Sequence, residues 1–467
     1  MDNIKCKGLS FDECELTILR SSVDKIEETL GSKTATSDDV KKIIFIVEMF
    51  IRRKKLICYG GTAINNILPK QSQFYDKEIE VPDYDFFSQN ALSDTKELCD
   101  ELHKAGYDEV EGKSGIHHGT FKVFVDFMAI ADITQIPKEL FQSLSNHTIR
   151  VGGLLYAPAN FLRMGMYLEL SRPNGDVSRW EKVLKRLALL NKAYPLIPTN
   201  CSKIHFQRRM KDETNMINIY ETVKSALIDR DVVFFGGYAL AHYSEYMPKE
   251  FQHNIKQIPD FDVLIENAKL VSEIVKERLE DSGIRHVTVI EHPPFGDLVS
   301  THYEVKVSKD VICVLYEPVA CHSYNIVKEH GYDVRIATID TIMSFYLVFI
   351  YLNRPYYNVD RLLCMSSYLF DVQQRNRLDQ KGVLKRFSMT CVGHHFSMEE
   401  IRARKSAKYR ELKDKRGSKQ FEEYFLQYRP LDNKNQKFFK KTKRNQPFKN
   451  KKTRRYKSNQ FTLFNRR

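Results

Sequence analysis

The chain has 467 residues, 42% hydrophobic and 12% aromatic, too long for one ordinary core and apolar enough to fill two or three. Its longest apolar run, TIMSFYLVFIYL at 341–352, is too short to span a bilayer and reads as a buried helix, and the acidic start MDNIKCKGLSFDECEL is unlike a secretory signal. The net charge of +13 resides in residues 432–467, which hold fourteen Lys and Arg against one acid, Asp432, so the rest of the chain sums to zero.

In chain order, helical patterns at 11–31 and 37–53 come first, the second with Ser37 as a cap, and lead into a short strand, KKLICY at 54–59. Gly60 and Gly61 follow, then a helical pattern, then a strand carrying Asp83 and Asp85 in PDYDFF, then an amphipathic helix at 93–105. Closing strands include FKVFVDFMAI at 121–130, and helices are expected over 158–170 and 177–191. The same order then returns. YGGTAI at 59–64 reappears as FGGYAL at 235–240, PDYDFF at 82–87 as PDFDVL at 259–264, and HKAGY at 103–107 as LEDSGI at 279–284. LELSRPNGDVSRW at 168–180 is echoed by YLNRPYYNVDRL at 351–362, and all offsets fall between 176 and 182. That regularity indicates a duplicated unit.

The expected architecture is α+β: two tandem modules, each a mixed sheet backed and followed by helices, with a disordered basic C-terminal tail. The boundaries read as an N-terminal helical segment (1–36), a first module (37–150), a helical connector (151–200), a second module (201–335), a C-terminal helical region (336–431) and the tail (432–467). The tail interleaves its cations with Phe438, Phe439, Phe448, Tyr456, Phe461 and Phe464, a mixture suited to phosphates and unpaired bases; a solubilising arm or a nuclear import signal are the plainer readings. Nine scattered cysteines without a C-x-x-C pair argue for a reducing compartment and against disulfides or structural zinc. CVGHH at 391–395 lacks a second half, and Cys391 reads as a small core residue.

On a strand, Asp83 and Asp85 project from one face with Tyr84 behind them, and two adjacent carboxylates need a cation such as Mg2+ or Mn2+. Asp126, alone in the apolar strand FKVFVDFMAI, is the expected third ligand, and three carboxylates can hold two metal ions. Gly60 and Gly61 would let the helix N-terminus from Thr62 approach a triphosphate. GYDEVEGKSG at 106–115 fails as a Walker loop on spacing and context. His117 and His118 could touch substrate, although adjacent loop histidines are more often solvated. The second copy keeps Gly236, Gly237, Asp260 and Asp262, but around 303–308 only Glu304 is acidic and it gives no convincing match, so this copy is expected to be non-catalytic.

These motifs resemble the polymerase-β-type nucleotidyltransferase superfamily. YGGTAINNILP, VPDYDFFS, KVFVDFMAI and LRMGMYLELSRPNGDVSRWEKVLKRLALLN are similar, over about residues 40–200, to the poly(A) polymerase catalytic subunits of giant viruses and, more distantly, of poxviruses. The resemblance implies an adenylyltransferase that adds AMP from ATP to RNA 3′ ends with two Mg2+ or Mn2+ ions held by Asp83, Asp85 and Asp126. Asp126 would lie nearest the attacking hydroxyl, Gly60, Gly61 and Thr62 against the β- and γ-phosphates, and Arg172, Arg179 and Lys182 on phosphates or RNA. A solvated helix face is the plainer reading of those three cations. Base choice rests on the resemblance alone, so a uridylyl- or CCA-adding enzyme stays open, as does a non-catalytic RNA-binding assembly protein. The implied partners are an RNA 3′ end and either a second copy or a processivity subunit, with no membrane, and the implied location is the virion and host cytoplasm.

Overall fold

The computed structural model describes residues 10–35, 37–76, 81–198, 201–208, 210, 215–247, 258 and 260–430; the basic tail lies outside them. Helices α1 (Phe11–Ala35) and α2 (Asp38–Lys54) precede the first sheet. Ser37 occupies the N-cap of α2 but makes no side-chain capping bond; Asp38 and Asp39 in the first turn, and Arg52 to Lys54 in the last, complement the helix dipole instead.

The first sheet contains β1 (Ile57–Tyr59), β2 (Tyr84–Ser88), β3 (Val110–Ser114), β4 (Thr120–Val125), β5 (Met128–Gln135), β6 (Ile149–Val151) and β7 (Leu154–Tyr156). The second contains β8 (Val233–Phe234), β9 (Phe261–Leu264), β10 (Val287–His292), β11 (His302–Val307), β12 (Asp310–Tyr316), β13 (His322–Glu329) and β14 (Tyr332–Ala337). Their spatial orders are β3-β4-β5-β2-β1-β7-β6 and β10-β11-β12-β9-β8-β14-β13, the same arrangement strand for strand. The duplication seen in the motifs is therefore a duplication of topology.

Each sheet gains one further edge strand from the C-terminal region: β15 (Cys391–Val392) pairs with β13, and β16 (Gln427–Tyr428) with β3. Main-chain pairing at an edge needs no side-chain alternation, and two-residue strands carry no period to detect. This return to both sheets has no counterpart in the expected boundaries.

Helices α3 (Gly60–Ile67) and α4 (Ala91–Lys104) follow β1 and β2 in the first module, as α9 (Gly237–Ser244) and α10 (Ala268–Asp281) follow β8 and β9 in the second. Helix α5 (Lys138–Ser145) links β5 to β6 within the first module, and the chain between the sheets forms α6 (Ala159–Leu170), α7 (Trp180–Ala193) and α8 (Met216–Ile228). The modules join where α6 packs on α11 (Ile339–Phe349), every residue of which is buried. That accounts for the apolar run at 341–352 without a membrane, and among the described residues no helix is long and apolar enough to cross one.

Among the described residues, Cys201, Cys364, Cys321 and Cys391 depart from expectation. Cys201 bonds Cys364 and Cys321 bonds Cys391, with Cα atoms 5.5 and 5.3 Å apart, whereas Cys58, Cys99 and Cys313 are free and buried. The partners are separated by 163 and 70 residues and meet through tertiary packing, which cysteine spacing does not report.

Candidate active site

The turn from β1 into α3 is dictated by what lies against it. Tyr59 stands opposite Asp85 in the antiparallel β1–β2 pair. Gly60 has φ +74, and a Cβ there would fall 2.2 Å from Asp85 Oδ2, so no side chain fits. A Cβ on Gly61 would fall 2.7 Å from the Tyr75 hydroxyl and 2.9 Å from Arg186 Nη1. Thr62 Oγ1 donates to the Asp83 carbonyl at 2.7 Å and ties the helix start to the D-x-D segment. Buried Asn65 accepts from the backbone N–H groups of Phe74 and Tyr75 at 2.8 and 2.9 Å, fixing the loop that carries Tyr75.

The third carboxylate is Asp132, not Asp126. In the parallel β2–β5 pair Asp132 is the register partner of Asp85. Asp126 and Phe127 instead form the exposed two-residue turn between β4 and β5, with φ of +47 and +64, and Val125 pairs with Met128 across it. FKVFVDFMAI is thus two antiparallel strands rather than one, and Asp126 is at the tip, four strand residues and a turn from Asp132. The signal that could have found Asp132 was present: MAIADIT also holds one acid in an apolar run.

Three carboxylates so placed repel one another. Burial pushes the Asp85 carboxyl up to about 7, helped by Asp83 and Asp132 and opposed by Lys122 and Arg179. Asp83 is raised too, by burial and then by Asp132. Lys122 Nζ lies 2.5 Å from Asp132 Oδ2, while Asp132 Oδ1 is buried without a hydrogen-bond partner. One ammonium does not balance three carboxylates.

A cleft of about 760 Å3 opens beside Asp83 and Asp85, lined also by Thr62, Asn65, Tyr75 and Lys41. Arg179, Lys182 and Arg186, spaced i, i+3, i+7, bring three cations to its wall. Arg186 is buried, hydrogen-bonds the Tyr75 hydroxyl at 2.5 Å and stacks 4.8 Å above the Phe74 ring. Its helical spacing from Lys182 was the available clue. Arg179 pairs with Glu169 at 3.1 Å. Arg172 does not line the cleft; it is largely enclosed near Glu169 and His322, and burial lowers its pKa to about 10.

Among the described residues, no group of three His, Cys, Asp or Glu side chains is arranged, as it stands, to hold a metal ion. Asp83, Asp85 and Asp132 nonetheless present oxygen donors alone, excess negative charge and one orphaned buried oxygen. That donor set fits a hard divalent cation, Mg2+ or Mn2+.

The second module shows how the same backbone behaves without such a site. Asp260 and Asp262 recur on either side of the start of β9, and a Cβ on Gly236 or Gly237 would collide with them at 2.5 or 2.3 Å. The register partner of Asp262 on β12 is Val314, where the first module has Asp132. Glu304, opposite Val314, takes the place of Lys122. Arg208 fills the position between the carboxylates: Nη1 donates to Asp262 Oδ1 at 2.9 Å, Nη2 to the Phe261 carbonyl at 3.1 Å. Its Nε is 2.9 Å from Asp260 Oδ2, close enough for ion pairing but without hydrogen-bond alignment. Burial disfavours charge on Arg208, yet the two aspartates outweigh it and hold the guanidinium protonated. A side chain neutralises this copy.

A glycine pair heading a helix, D-x-D on one strand and an aspartate on its parallel neighbour thus converge on one cleft edged by cations. Residues 45–176 match the family model described as "Poly(A) polymerase catalytic subunit". Similar proteins, provisionally named poly(A) polymerase catalytic subunits, occur in African swine fever virus (isolate Pig/Kenya/KEN-50/1950) and Acanthamoeba polyphaga mimivirus. The first is 32% identical over 181 residues, 38% of each chain; the second is 32% identical over 184 residues, 38% of this chain and 30% of the relative. The similar stretch therefore spans about a third of those relatives' length. The fold extends further: the crystal structure of the Megavirus polyadenylate synthase superposes with a TM-score of 0.76 over 93% of this chain and 91% of that one, at 21% identity.

Because Asp85 in the folded, metal-free protein titrates near 7 rather than 3.8, its contribution to stability is full below about pH 4 and is lost as pH rises towards 7 and beyond. In EDTA, Asp85→Asn should stabilise the protein by about 1–3 kcal/mol at pH 8 and by nothing at pH 4, measured by urea unfolding. Added Mn2+ should raise the melting temperature of the wild type at pH 8 and leave Asp85→Asn unmoved. In the second module, Arg208→Met strands two carboxylates and should cost about 3–5 kcal/mol at pH 8, with a smaller loss at pH 5. Equal stability of Arg208→Met and wild type at both pH values would show that Arg208 does not neutralise that site.

Proposed function

We propose that this chain is a template-independent polynucleotide adenylyltransferase that adds AMP from ATP to RNA 3′ ends. The observation that carries the reading is the register match of Asp85 with Asp132 beside the Gly60–Gly61 turn, facing Arg179, Lys182 and Arg186 across one cleft. The match of residues 45–176 to the poly(A) polymerase family model supports adenylate as the group transferred.

The bare Gly60–Gly61 backbone lets the first turn of α3 approach a triphosphate, and the three α7-side cations neutralise its β- and γ-phosphates. Asp83, Asp85 and Asp132 would hold the divalent ions, which on binding favour ionisation of the attacking hydroxyl and stabilise the departing pyrophosphate. The RNA 3′-oxygen forms its bond to the α-phosphorus as the bond from that phosphorus to the α,β-bridging oxygen breaks. Asp132, on β5 one strand beyond the D-x-D strand, is placed to orient the 3′-hydroxyl, while Lys122 keeps one of its oxygens fixed. Thr62, whose hydroxyl is spent on the Asp83 carbonyl, acts by positioning the D-x-D segment. The relatives' name, catalytic subunit, supports assembly with a further polypeptide or a second copy.

With labelled RNA, Mg2+ and each ribonucleoside triphosphate supplied separately, extension should occur with ATP. Asp132→Asn should reduce it by about 10³-fold or more, whereas Asp126→Asn should remain near wild type. Extension with UTP or CTP instead would keep the site and overturn the adenylyl assignment. Removing 432–467 should shorten products and flatten the salt dependence of RNA binding while preserving single additions. Loss of single additions as well would place the tail in the active site.

A further inference from the structure

A second cleft, about 380 Å3, lies where the C-terminal arm returns to the catalytic sheet. One wall is the β3–β4 loop, Gly115 to His118; the other is α13 (Met398–Leu412), and α14 (Lys419–Phe425) closes it. The arm is anchored through β16 on β3, through Ser114 Oγ donating to the Tyr424 carbonyl at 2.8 Å, and through Lys405 Nζ donating to the Gly115 carbonyl at 2.8 Å. None of this is needed by the carboxylate site, which lies on other strands.

The groove is built of rings and cations. The His118 imidazole stacks on Tyr424 with centroids 4.1 Å apart and planes 21° apart. The Arg404 guanidinium sits 3.5 Å above the Phe396 ring, and Lys408 Nζ 5.4 Å above Tyr424. Arg404 has no carboxylate within ion-pair range among the described residues, whereas Lys408 meets Glu411 at 2.9 Å. Residues 401–419 carry nine Lys and Arg against two acids, although the chain up to residue 431 is neutral. Glu423 is the acid on the groove wall. Flat faces edged by cations suit a strand whose bases are unpaired and whose backbone is anionic.

The groove also connects to the first site. His395 lies within electrostatic reach of both Arg172 and His117, and its Cε1 is 3.9 Å from where a Cβ of Gly175 would stand. That puts the 391–396 loop against residues 172–176, directly ahead of Arg179, whose charge is felt by Asp85. The contact of His395 with Gly175 thus brings the groove's 391–396 wall towards Arg179, which lines the carboxylate cleft, with Arg172 enclosed between them.

We propose that the groove between the β3–β4 loop and α13–α14 binds the unpaired nucleotides upstream of the RNA 3′ end, with bases continuing the His118–Tyr424 and Arg404–Phe396 stacks and phosphates on Arg404 and Lys408. The proposal rests on the reading of this chain as an RNA-extending enzyme and adds the track its primer follows. It gives His118 a place beside the first base stacked on Tyr424. Duplex RNA, with its base faces already covered, is excluded from such a platform.

The test uses the full-length protein without nucleotide. Ultraviolet crosslinking to a single-stranded oligoadenylate, read by mass spectrometry, should mark peptides containing His118, Phe396 or Tyr424 whatever the tail contributes. Tyr424→Leu should remove its crosslink and weaken oligoadenylate binding by about tenfold. Arg404→Gln and Lys408→Gln should each lower the magnitude of the salt slope by about one. The exposed Lys269 of α10 supplies the control: Lys269→Gln should change neither readout. Crosslinks confined to other surfaces, or groove variants that bind as the wild type does, would overturn the groove while leaving ATP-dependent extension intact. Failure of the wild type to bind single-stranded RNA at all would bring down the enzymatic reading together with the groove.

Discussion

The constraint on which the rest depends is the repulsion among Asp83, Asp85 and Asp132. Three carboxylates on adjoining strands of one sheet are unfavourable in the absence of positive charge, and the rise of Asp85 to about 7 registers that cost. The surroundings are arranged to contain it. Lys122 offsets one charge from the next strand, and the α7-side cations face the cleft without closing it. Gly60 removes the one side chain that would otherwise occupy the space above Asp85. The site is kept both charged and open, a combination that stability alone would not select.

The second module answers the same problem in the opposite way. Its backbone still sets two glycines against two aspartates, close enough that a Cβ on either glycine would meet a carboxylate. Valine at 314 removes the third charge, and Arg208 supplies a permanent cation where the first module leaves room for an exchangeable one. A guanidinium cannot be released or replaced by a nucleotide-bound ion, so this copy has exchanged chemistry for a fixed charge balance. The two modules form an internal comparison: same sheet order, same turn, different source of positive charge.

Much of this was legible in the sequence, because glycine pairs and D-x-D strands report local geometry and recur at nearly constant offset. What failed was register. VDFM gives none of the Asn-Gly or Asp-Gly signal that marks a two-residue hairpin, since Phe127 is forced to a left-handed φ that glycine would adopt freely. From sequence the hairpin therefore reads as one strand, which sets Asp126 where register sets Asp132. Slipping a strand pairing by even a few residues relocates every side chain on it. Arg208 was illegible for a different reason: it meets its aspartates across more than fifty residues, through packing that no period encodes. The disulfide pairs and the edge strands β15 and β16 belong to the same category.

The retention of the copy that Arg208 neutralises follows from where the hydrophobic surface lies. Helix α11, which follows the second sheet, is buried on every face and packs against α6, which follows the first. Neither helix can be uncovered without exposing the other, so the second module is part of the core that holds the first in shape. The chain after α11 exploits that rigidity. It bonds to the second sheet at β15, crosses, and ends on the edge of the catalytic sheet at β16. A segment fixed at both ends by different modules holds its rings and cations at a set distance from the carboxylates. A loop tethered at one end could not.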